Sequence, residues 1–492
     1  MAEVVLGVDL GTTATKVVAV DQSGEVLGLA ERGYRMRTGH GGEAVHVPAE
    51  VCEAALDALA EVVRECREHG HQVVGLALTG AMHTLLALGP DGTPITDSLS
   101  WADNRATEQA ARLRGTALGT ALHRATGTPV HPFAPLVKLA WFAEREPDTA
   151  ARAAHWCGLK DFVLYRLTGR LATEHSNASG TGLLDLHRLA WHPDALEVAR
   201  IRAEQLPELL EPTAVLDLSA EVAERVGLPA GLPVVAGGGD GPLANLGVGA
   251  VTPGTAALSL GTSGALRVTR DRPGIDDRGR VFCYAIADGL WVLGGAVSNG
   301  GVVAQWAADT FGVEVADLLA EAEEVPTGAG GLLALPYLLG ERAPWWDPDP
   351  RASLIGLRRE HGRAEIARAM VEGVGQQLAM VLDAVLDAGV EVHTVRVTGG
   401  AFRSALWADV LAAALGRELE LAEDSEGSGV GAALLGWRAL GVLDSLAEVA
   451  ELVTPTRVIV PDPAAVTTLA RTRPLVERAY HALRELSAEL GG

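Results

Sequence analysis

Apolar residues along this chain fall into short runs separated by turn residues. Residues 4–10 form a Val-rich run, and 16–20 form a second, closed by Asp21-Gln22-Ser23-Gly24; 25–31 follow as a third. Runs of this length between such turns predict three strands, near enough in sequence to pair as an antiparallel meander. Pro48 then opens an amphipathic stretch that ends at Gly70, which predicts one long helix. Residues 72–78 predict a buried strand.

The second half repeats this order. Residues 256–260 and 265–269 predict strands on either side of Gly261-Thr262-Ser263-Gly264. Residues 282–287 and 290–296 predict a hairpin across Asp288-Gly289. Helices are expected at 302–310 and 364–387, a strand at 392–398, and two more helices from about Ser404 and Gly429. The turn Asp9-Leu10-Gly11-Thr12-Thr13 of the first half matches Ser259-Leu260-Gly261-Thr262-Ser263 of the second. A shared turn between apolar strands predicts an internal duplication. Two related α/β domains are expected, 1–247 and 248–492, with their boundary in the Gly- and Pro-containing stretch 247–255.

Composition narrows the partners. A length of 492 residues with 48% hydrophobic and 21% charged residues is that of an ordinary globular chain of two to four domains. The formal net charge of -23 argues against nucleic acid or an anionic membrane as the partner. The N-terminus has no basic region or cleavage pattern, so no signal peptide is expected. The most apolar stretch, 73–88, is interrupted by Gly75, Thr79, Gly80, His83 and Thr84 and does not suit a membrane span. The four cysteines lie far apart without a CxxC spacing, which fits a reducing, cytoplasmic setting. Only three lysines, Lys16, Lys138 and Lys160, stand against 37 arginines, and all three fall in the first half.

Three segments can carry chemistry. In the first turn, Gly11 allows close backbone approach, Thr12 and Thr13 offer donors to phosphate oxygens, and Lys16 adds a point charge. Asp9 at the strand end suits Mg²⁺, most naturally through waters. A solvated hairpin is the plain alternative for this turn, and its pairing with the second-half turn favours phosphate. The second segment, Gly237-Gly238-Gly239-Asp240-Gly241-Pro242, reads as a tight loop of glycines holding one acid. Gly239, Gly241 and Ala244 fit a dinucleotide fingerprint, but no acid occurs between Asp240 and Asp271 to bind a ribose. Asp240 is thus a candidate base for a substrate hydroxyl, with a turn cap as the alternative. In the third, His83 together with Trp101, Asp103 and Arg105 offers an apolar face and fixed donors and acceptors suited to a polyol. No Walker A, H-E-x-x-H or G-x-S-x-G pattern occurs.

With these residues in place, the chain resembles the FGGY family of carbohydrate kinases, within the actin-like ATPase superfamily. Phe133-Ala134-Pro135-Leu136-Val137-Lys138 through Trp141, Phe142 and Glu144 is similar to the family's first signature, departing at Arg145. Ala352-Ser353-Leu354-Ile355-Gly356-Leu357 through Glu365, Ile366, Ala369 and Glu372 is similar to the second, and Gly340-Glu341-Arg342-Ala343-Pro344 to a further family loop.

The resemblance implies two ribonuclease-H-like α/β domains with ATP and a sugar in the cleft between them, and ATP- and Mg²⁺-dependent phosphorylation of a sugar or polyol. It implies Asp240 as general base, Gly11, Thr12 and Thr13 at the transferred phosphate, and Asp9 near the metal. It places Gly261, Thr262, Gly301, Gln305, Gly400 and Ser404 on the nucleotide side, and His83, Trp101, Asp103 and Arg105 on the sugar side. Within the family, Ala81-Met82-His83 and Asp240-Gly241-Pro242-Leu243-Ala244-Asn245 resemble gluconate-phosphorylating members, with xylulose or another pentulose or polyol as the alternative acceptor. A non-catalytic sugar- or nucleotide-binding regulator on the same fold is a further alternative. Gly241, where xylulose kinases usually carry Gln, is expected to leave room for a longer acceptor. Arg105, Lys138, Lys160 and His83 are the expected candidates to meet its carboxylate. The sequence admits a homodimer without specifying one.

Overall fold

The computed structural model describes residues 1–422 and 427–490. Its N-terminal sheet comprises β1 (Glu3–Leu10), β2 (Ala14–Asp21), β3 (Val26–Gly33), β4 (Gln72–Gly80), β5 (Val215–Asp217) and β6 (Pro233–Gly239), in the order β5-β6-β4-β1-β2-β3. The meander β1–β2–β3 is antiparallel as the sequence predicts, and β4 and β6 extend it in parallel. The C-terminal sheet comprises β7 (Thr255–Leu260), β8 (Gly264–Arg270), β9 (Phe282–Ala285), β10 (Trp291–Val297), β11 (Thr394–Thr398), β12 (Glu418–Leu421) and β13 (Arg457–Ile459). Its order is β9-β10-β8-β7-β11-β12-β13. Here too an antiparallel meander, β7–β8–β10, is extended in parallel by β11 and β12. One pairing scheme occurs twice, so the repetition first visible in a five-residue turn covers both sheets.

Burial follows the apolar pattern. On β1, Val4, Leu6, Val8 and Leu10 pack into the same core as α1 (Pro48–Glu68), while Val5 faces the opposite side. Pro48 sits at the first turn of α1, and Val51, Cys52, Ala55, Leu59, Val62 and Cys66 recur at helical spacing on its buried face. Strands covered on both faces lose the apolar–polar alternation, which is why β1 reads as a continuous run.

The opposite side of this sheet is covered by a helix from the other end of the chain. Helix α5 (Ser428–Ala439) packs on β1 and β4 and crosses α2 (Asp240–Gly247), the helix that leaves the N-terminal sheet. Glycines make the crossing. A Cβ at Gly431 would lie 1.9 Å from the Leu243 carbonyl oxygen, and one at Gly247 would lie 2.0 Å from that of Gly427. A Cβ at Gly7 on β1 would lie 2.0 Å from the Gly429 oxygen. The two halves therefore meet through backbone.

The segment around Asp240 differs from its expected form as a tight loop. Strand β6 runs on through Gly239, with a register shift after Val235 and Gly237 at φ 87°, and Asp240 begins α2. Glycines serve here as strand residues under crowding: a Cβ at Gly239 would lie 2.7 Å from Met82 Sδ. Helix α4 (Arg363–Asp387) is long and apolar enough to cross a membrane, but 89% of its most apolar window is buried inside the protein. It packs on β10 and on the helix Ala405–Leu415 as a core element.

Gly431→Ala tests the crossing. Alanine normally stabilises a helix interior relative to glycine by about 1 kcal/mol. Here overpacking against the Leu243 backbone reverses the sign, costing about 1–3 kcal/mol. The expected result is a lower apparent melting temperature; an increase would show that the crossing yields.

Candidate active site

The first turn is held in shape by its surroundings. Gly11 N–H donates to Ala14 O at 3.0 Å, the Tyr34 hydroxyl donates to Gly11 O, and His46 Nε2 bonds Thr12 O at 2.7 Å. Asp9 lies on the same face of β1 as Gly7, and that face brings it to α5: Ser428 Oγ donates to Asp9 Oδ2 at 2.7 Å. Lys16 stands opposite Asp9 in the β1–β2 register, with Glu31 at 3.8 Å.

A cavity of about 250 Å³ lies where the halves face each other. From the N-terminal half it is lined by Thr12, Met82, His83, Trp101 and Asp240. From the C-terminal half it is lined by Ser263, Arg267, Phe282, Tyr284 and Arg342. Asp240 Oδ1 accepts from the N–H of Gly241 at 2.8 Å and from that of Met82 at 3.4 Å. Burial pushes its carboxyl above the ordinary aspartate range, and Arg267, those two N–H groups and Arg342 oppose the rise. A proton acceptor with raised affinity, placed at a cavity wall, suits abstraction of a hydroxyl proton.

His83 and Trp101 reach the cavity as the sequence suggests. His83 adopts φ 66°, unusual for a side-chain-bearing residue, and its Nδ1 donates to Gly180 O at 2.6 Å. Burial drives its pKa down to about 3, so the ring is neutral and Nε2 is an acceptor. Trp101 Nε1 donates to Thr12 Oγ1 at 3.0 Å, coupling this wall of the cavity to the first turn.

Asp103, Arg105, Lys138 and Lys160 are placed differently from their expected positions on the substrate. None of the four lines the cavity. Asp103 is fully buried, accepting from Ala44 N–H at 3.0 Å and from the Arg105 side chain at 2.8 Å. Arg105 lies 4.8 Å from the centre of the Trp141 ring. Lys138 Nζ donates to Ser100 O at 2.6 Å and His83 O at 2.7 Å, tying together the two segments that carry Trp101 and His83. Burial lowers its pKa to about 7. Lys160 Nζ bonds the buried Glu174 carboxylate at 3.0 Å and Ala236 O at 3.0 Å. These groups are consumed by the wall behind the cavity.

The sequence reading passed over the two cations that do line it. Arg342 lies 5.3 Å from the centre of the Trp101 ring, donating to Val297 O at 2.8 Å and Ser298 Oγ at 3.3 Å. Beneath it Glu341, whose pKa burial raises to about 7, accepts from the N–H groups of Ser298 and Arg342. Arg267 stands on β8 between the buried Leu266 and Val268. A charge in the middle of an apolar strand directly after the second turn was its available signal. Arg267 also changes the meaning of Gly241. A Cβ there would lie 3.2 Å from Arg267 Nε, so the space beside the base is filled by the guanidinium and is not left open for a longer acceptor.

The second turn forms a separate backbone cluster. Gly301 N–H donates to Gly261 O at 2.7 Å and Gly300 N–H to Thr262 O at 3.0 Å, docking the turn on the start of α3 (Val302–Phe311). Gln305 lies on that helix and bonds Asp309 Oδ1 at 2.8 Å. Gly399 packs where a Cβ would lie 2.3 Å from Leu260 O; Gly400 beside it faces open space, and Ser404 precedes the helix Ala405–Leu415. Backbone N–H groups and open glycines near a turn are suited to phosphate. No group of three or more His, Cys, Asp or Glu suited to a metal occurs among the described residues. The single carboxylate of Asp9 matches a Mg²⁺ ion that takes its remaining oxygens from water and phosphate.

Models of the FGGY family of carbohydrate kinases match residues 4–247 (N-terminal domain) and 256–440 (C-terminal domain). The chain belongs to the FGGY family of carbohydrate kinases. It is 35% identical over 470 residues to a gluconokinase of Bacillus subtilis (strain 168), covering 93% of this chain and 91% of the relative. Two solved structures from Lactobacillus acidophilus match at 31% identity. A ligand-bound xylulose kinase matches with a TM-score of 0.95 over 99% of this chain and 100% of that one. A gluconate kinase matches with a TM-score of 0.94 over 98% of each. The fold is thus that of the actin-like, ribonuclease-H-like two-domain kinases, and the enzyme is a phosphotransferase acting on a sugar-type substrate with ATP.

Two variants separate chemistry from scaffold. Asp240→Asn keeps shape and removes the proton acceptor, so kcat should fall by about 10²–10⁴-fold with acceptor affinity little changed. Because the base must be ionised, wild-type activity should be lost as pH falls through its raised pKa, and this acid limb should be absent from the residual Asp240→Asn rate. Retained turnover would end the base assignment. Lys160→Met should instead leave Glu174 buried and unpaired, lowering stability by about 3–5 kcal/mol in denaturant unfolding. A selective loss of acceptor binding at unchanged stability would return Lys160 to the substrate.

Proposed function

We propose that this kinase phosphorylates D-gluconate to 6-phosphogluconate, using ATP and Mg²⁺. The observation that carries the reading is the charge of the cavity. Among the described residues, its charged lining groups besides the Asp240 carboxylate are two arginines, Arg267 and Arg342. A cavity wall that presents two guanidinium groups and one carboxylate favours an anionic acceptor, whose charge the guanidinium groups can meet directly.

In this reading Asp240 accepts the proton of the acceptor hydroxyl as that oxygen attacks the terminal phosphorus of ATP. Gly11, Thr12, Thr13 and Lys16 in the first turn, and Gly261 and Thr262 in the second, hold the phosphoryl oxygens from opposite sides. Gly301, Gln305, Gly400 and Ser404 receive the nucleotide, and Asp9 would hold Mg²⁺ through waters, the metal neutralising phosphate charge. Residues 1–247 act as the sugar side and 248–492 as the nucleotide side. His83 and Trp101 bind the polyol chain, while Asp103 and Arg105, paired with one another, stand behind the cavity wall. The enzyme works in the cytoplasm on small molecules, without nucleic acid or membrane.

ADP release measured with gluconate, xylulose, ribulose, glycerol, fuculose and glucose tests the acceptor. The wild-type enzyme should prefer gluconate over glucose and xylulose by at least about tenfold in kcat/KM, the effect of leaving one buried charged group unpaired. A better rate with xylulose would leave the family activity standing and overturn gluconate.

A further inference from the structure

We propose that Arg267 is the residue that selects an anionic acceptor, binding its carboxylate through a guanidinium for which Gly241 leaves room; this rests on the gluconate reading above. The two cavity arginines are not equivalent. Arg342 is already engaged, with donors committed to Val297 O and Ser298 Oγ and its face on Trp101. The Arg267 side chain makes no hydrogen bond or ion pair among the described residues, and its Nη1 is buried without a partner. Burial disfavours its charged form, with the Asp240 charge only partly compensating. A guanidinium facing a cavity with one buried, unpartnered nitrogen is costly to keep, and a ligand carboxylate matching its planar fork would relieve that cost. Tyr284 Oη, another buried atom without a partner, is a neutral donor in the same cavity.

Gly241 completes the pair. The position of its missing Cβ lies 3.2 Å from Arg267 Nε and 3.5 Å from Nη2, so any side chain there would press on the guanidinium. The two sides of the site are also fixed relative to one another. Asn245, on the helix that begins with Asp240, donates through Nδ2 to the Arg267 backbone oxygen at 3.3 Å. Asp240 and Arg267 thus stand on elements joined by a partly buried hydrogen bond, and they form no ion pair with each other among the described residues. The arrangement reads an acceptor that carries a hydroxyl for Asp240 and an anion a fixed distance away for Arg267.

The test compares gluconate with xylulose, each titrated for kcat and KM with saturating ATP, in wild type, Arg267→Gln, Arg267→Lys and Gly241→Gln. Arg267→Gln should lower the gluconate-to-xylulose ratio of kcat/KM by at least about tenfold, mainly through the KM for gluconate. Arg267→Lys, which keeps the charge without the fork, should fall between it and wild type. Gly241→Gln should lower the same ratio with Arg267 intact, and it reads the contact independently should Arg267→Gln not fold. A gluconate-preferring wild type whose Arg267→Gln or Gly241→Gln variant keeps its ratio overturns the assignment of Arg267 and leaves the gluconate reading in place. A wild type that prefers xylulose removes the gluconate reading itself.

Discussion

The two halves of the molecule approach each other backbone to backbone, where α5 crosses α2 and lies on β1. Side chains there would occupy the Leu243, Gly427 and Gly429 carbonyls, so the crossing depends on Gly431, Gly247 and Gly7. It determines where the chemistry sits. Helix α2 carries Asp240 at its start, α5 begins at Ser428, which bonds Asp9, and the same α2 bonds the strand of Arg267 through Asn245. The base, the first turn and the opposing cation are thus referred to one glycine-lined contact. A side chain inserted there would move all three together.

The scarce lysines make sense in this frame. Lys138 and Lys160 are fully buried, and each bonds main-chain carbonyls: Ser100 and His83 for the first, Ala236 for the second. A compact ammonium with three donors can join backbone oxygens that converge from different segments, where a flat guanidinium would need a wider gap. In the N-terminal half, Lys138 joins two loop carbonyls, and Lys160 meets the carbonyl of Ala236 where the register of β6 shifts. Their retention in an arginine-dominated chain reflects that geometry and carries no information about the acceptor's charge.

Legibility in the sequence followed the range of the interactions. The meander, the long helix from Pro48, the Asp288-Gly289 hairpin and the repeated turn were all readable, because periodicity and turn chemistry are local. Asp240 was readable as a candidate site residue and does line the cavity, but its setting was not readable: three glycines in a row read as a loop when nothing shows that Met82 crowds them in a strand. His83 and Trp101 lie in the cavity, whereas Asp103 and Arg105, two and four residues beyond Trp101, turn away to satisfy one another. Arg267 and Arg342 come from the opposite half of the chain, more than 25 residues and one domain away from Asp240, and no spacing rule joins them to it. Even the role of Gly241 was inverted, since the space it leaves had to be seen occupied.

That occupation bears on how the base can work at all. Closing a site against water protects ATP from hydrolysis but also penalises the ionised carboxylate, and burial is the largest influence on Asp240. A kinase base must nevertheless be ionised to take a proton. The counterweight consists of the Arg267 charge, two backbone N–H donors and the Arg342 charge. The arginines come from the C-terminal half, whereas the N–H groups of Gly241 and Met82 come from the N-terminal half. Neither half alone supplies both the burial of Asp240 and its full compensation, so the fold that brings the halves into backbone contact also sets the charge balance around that carboxylate.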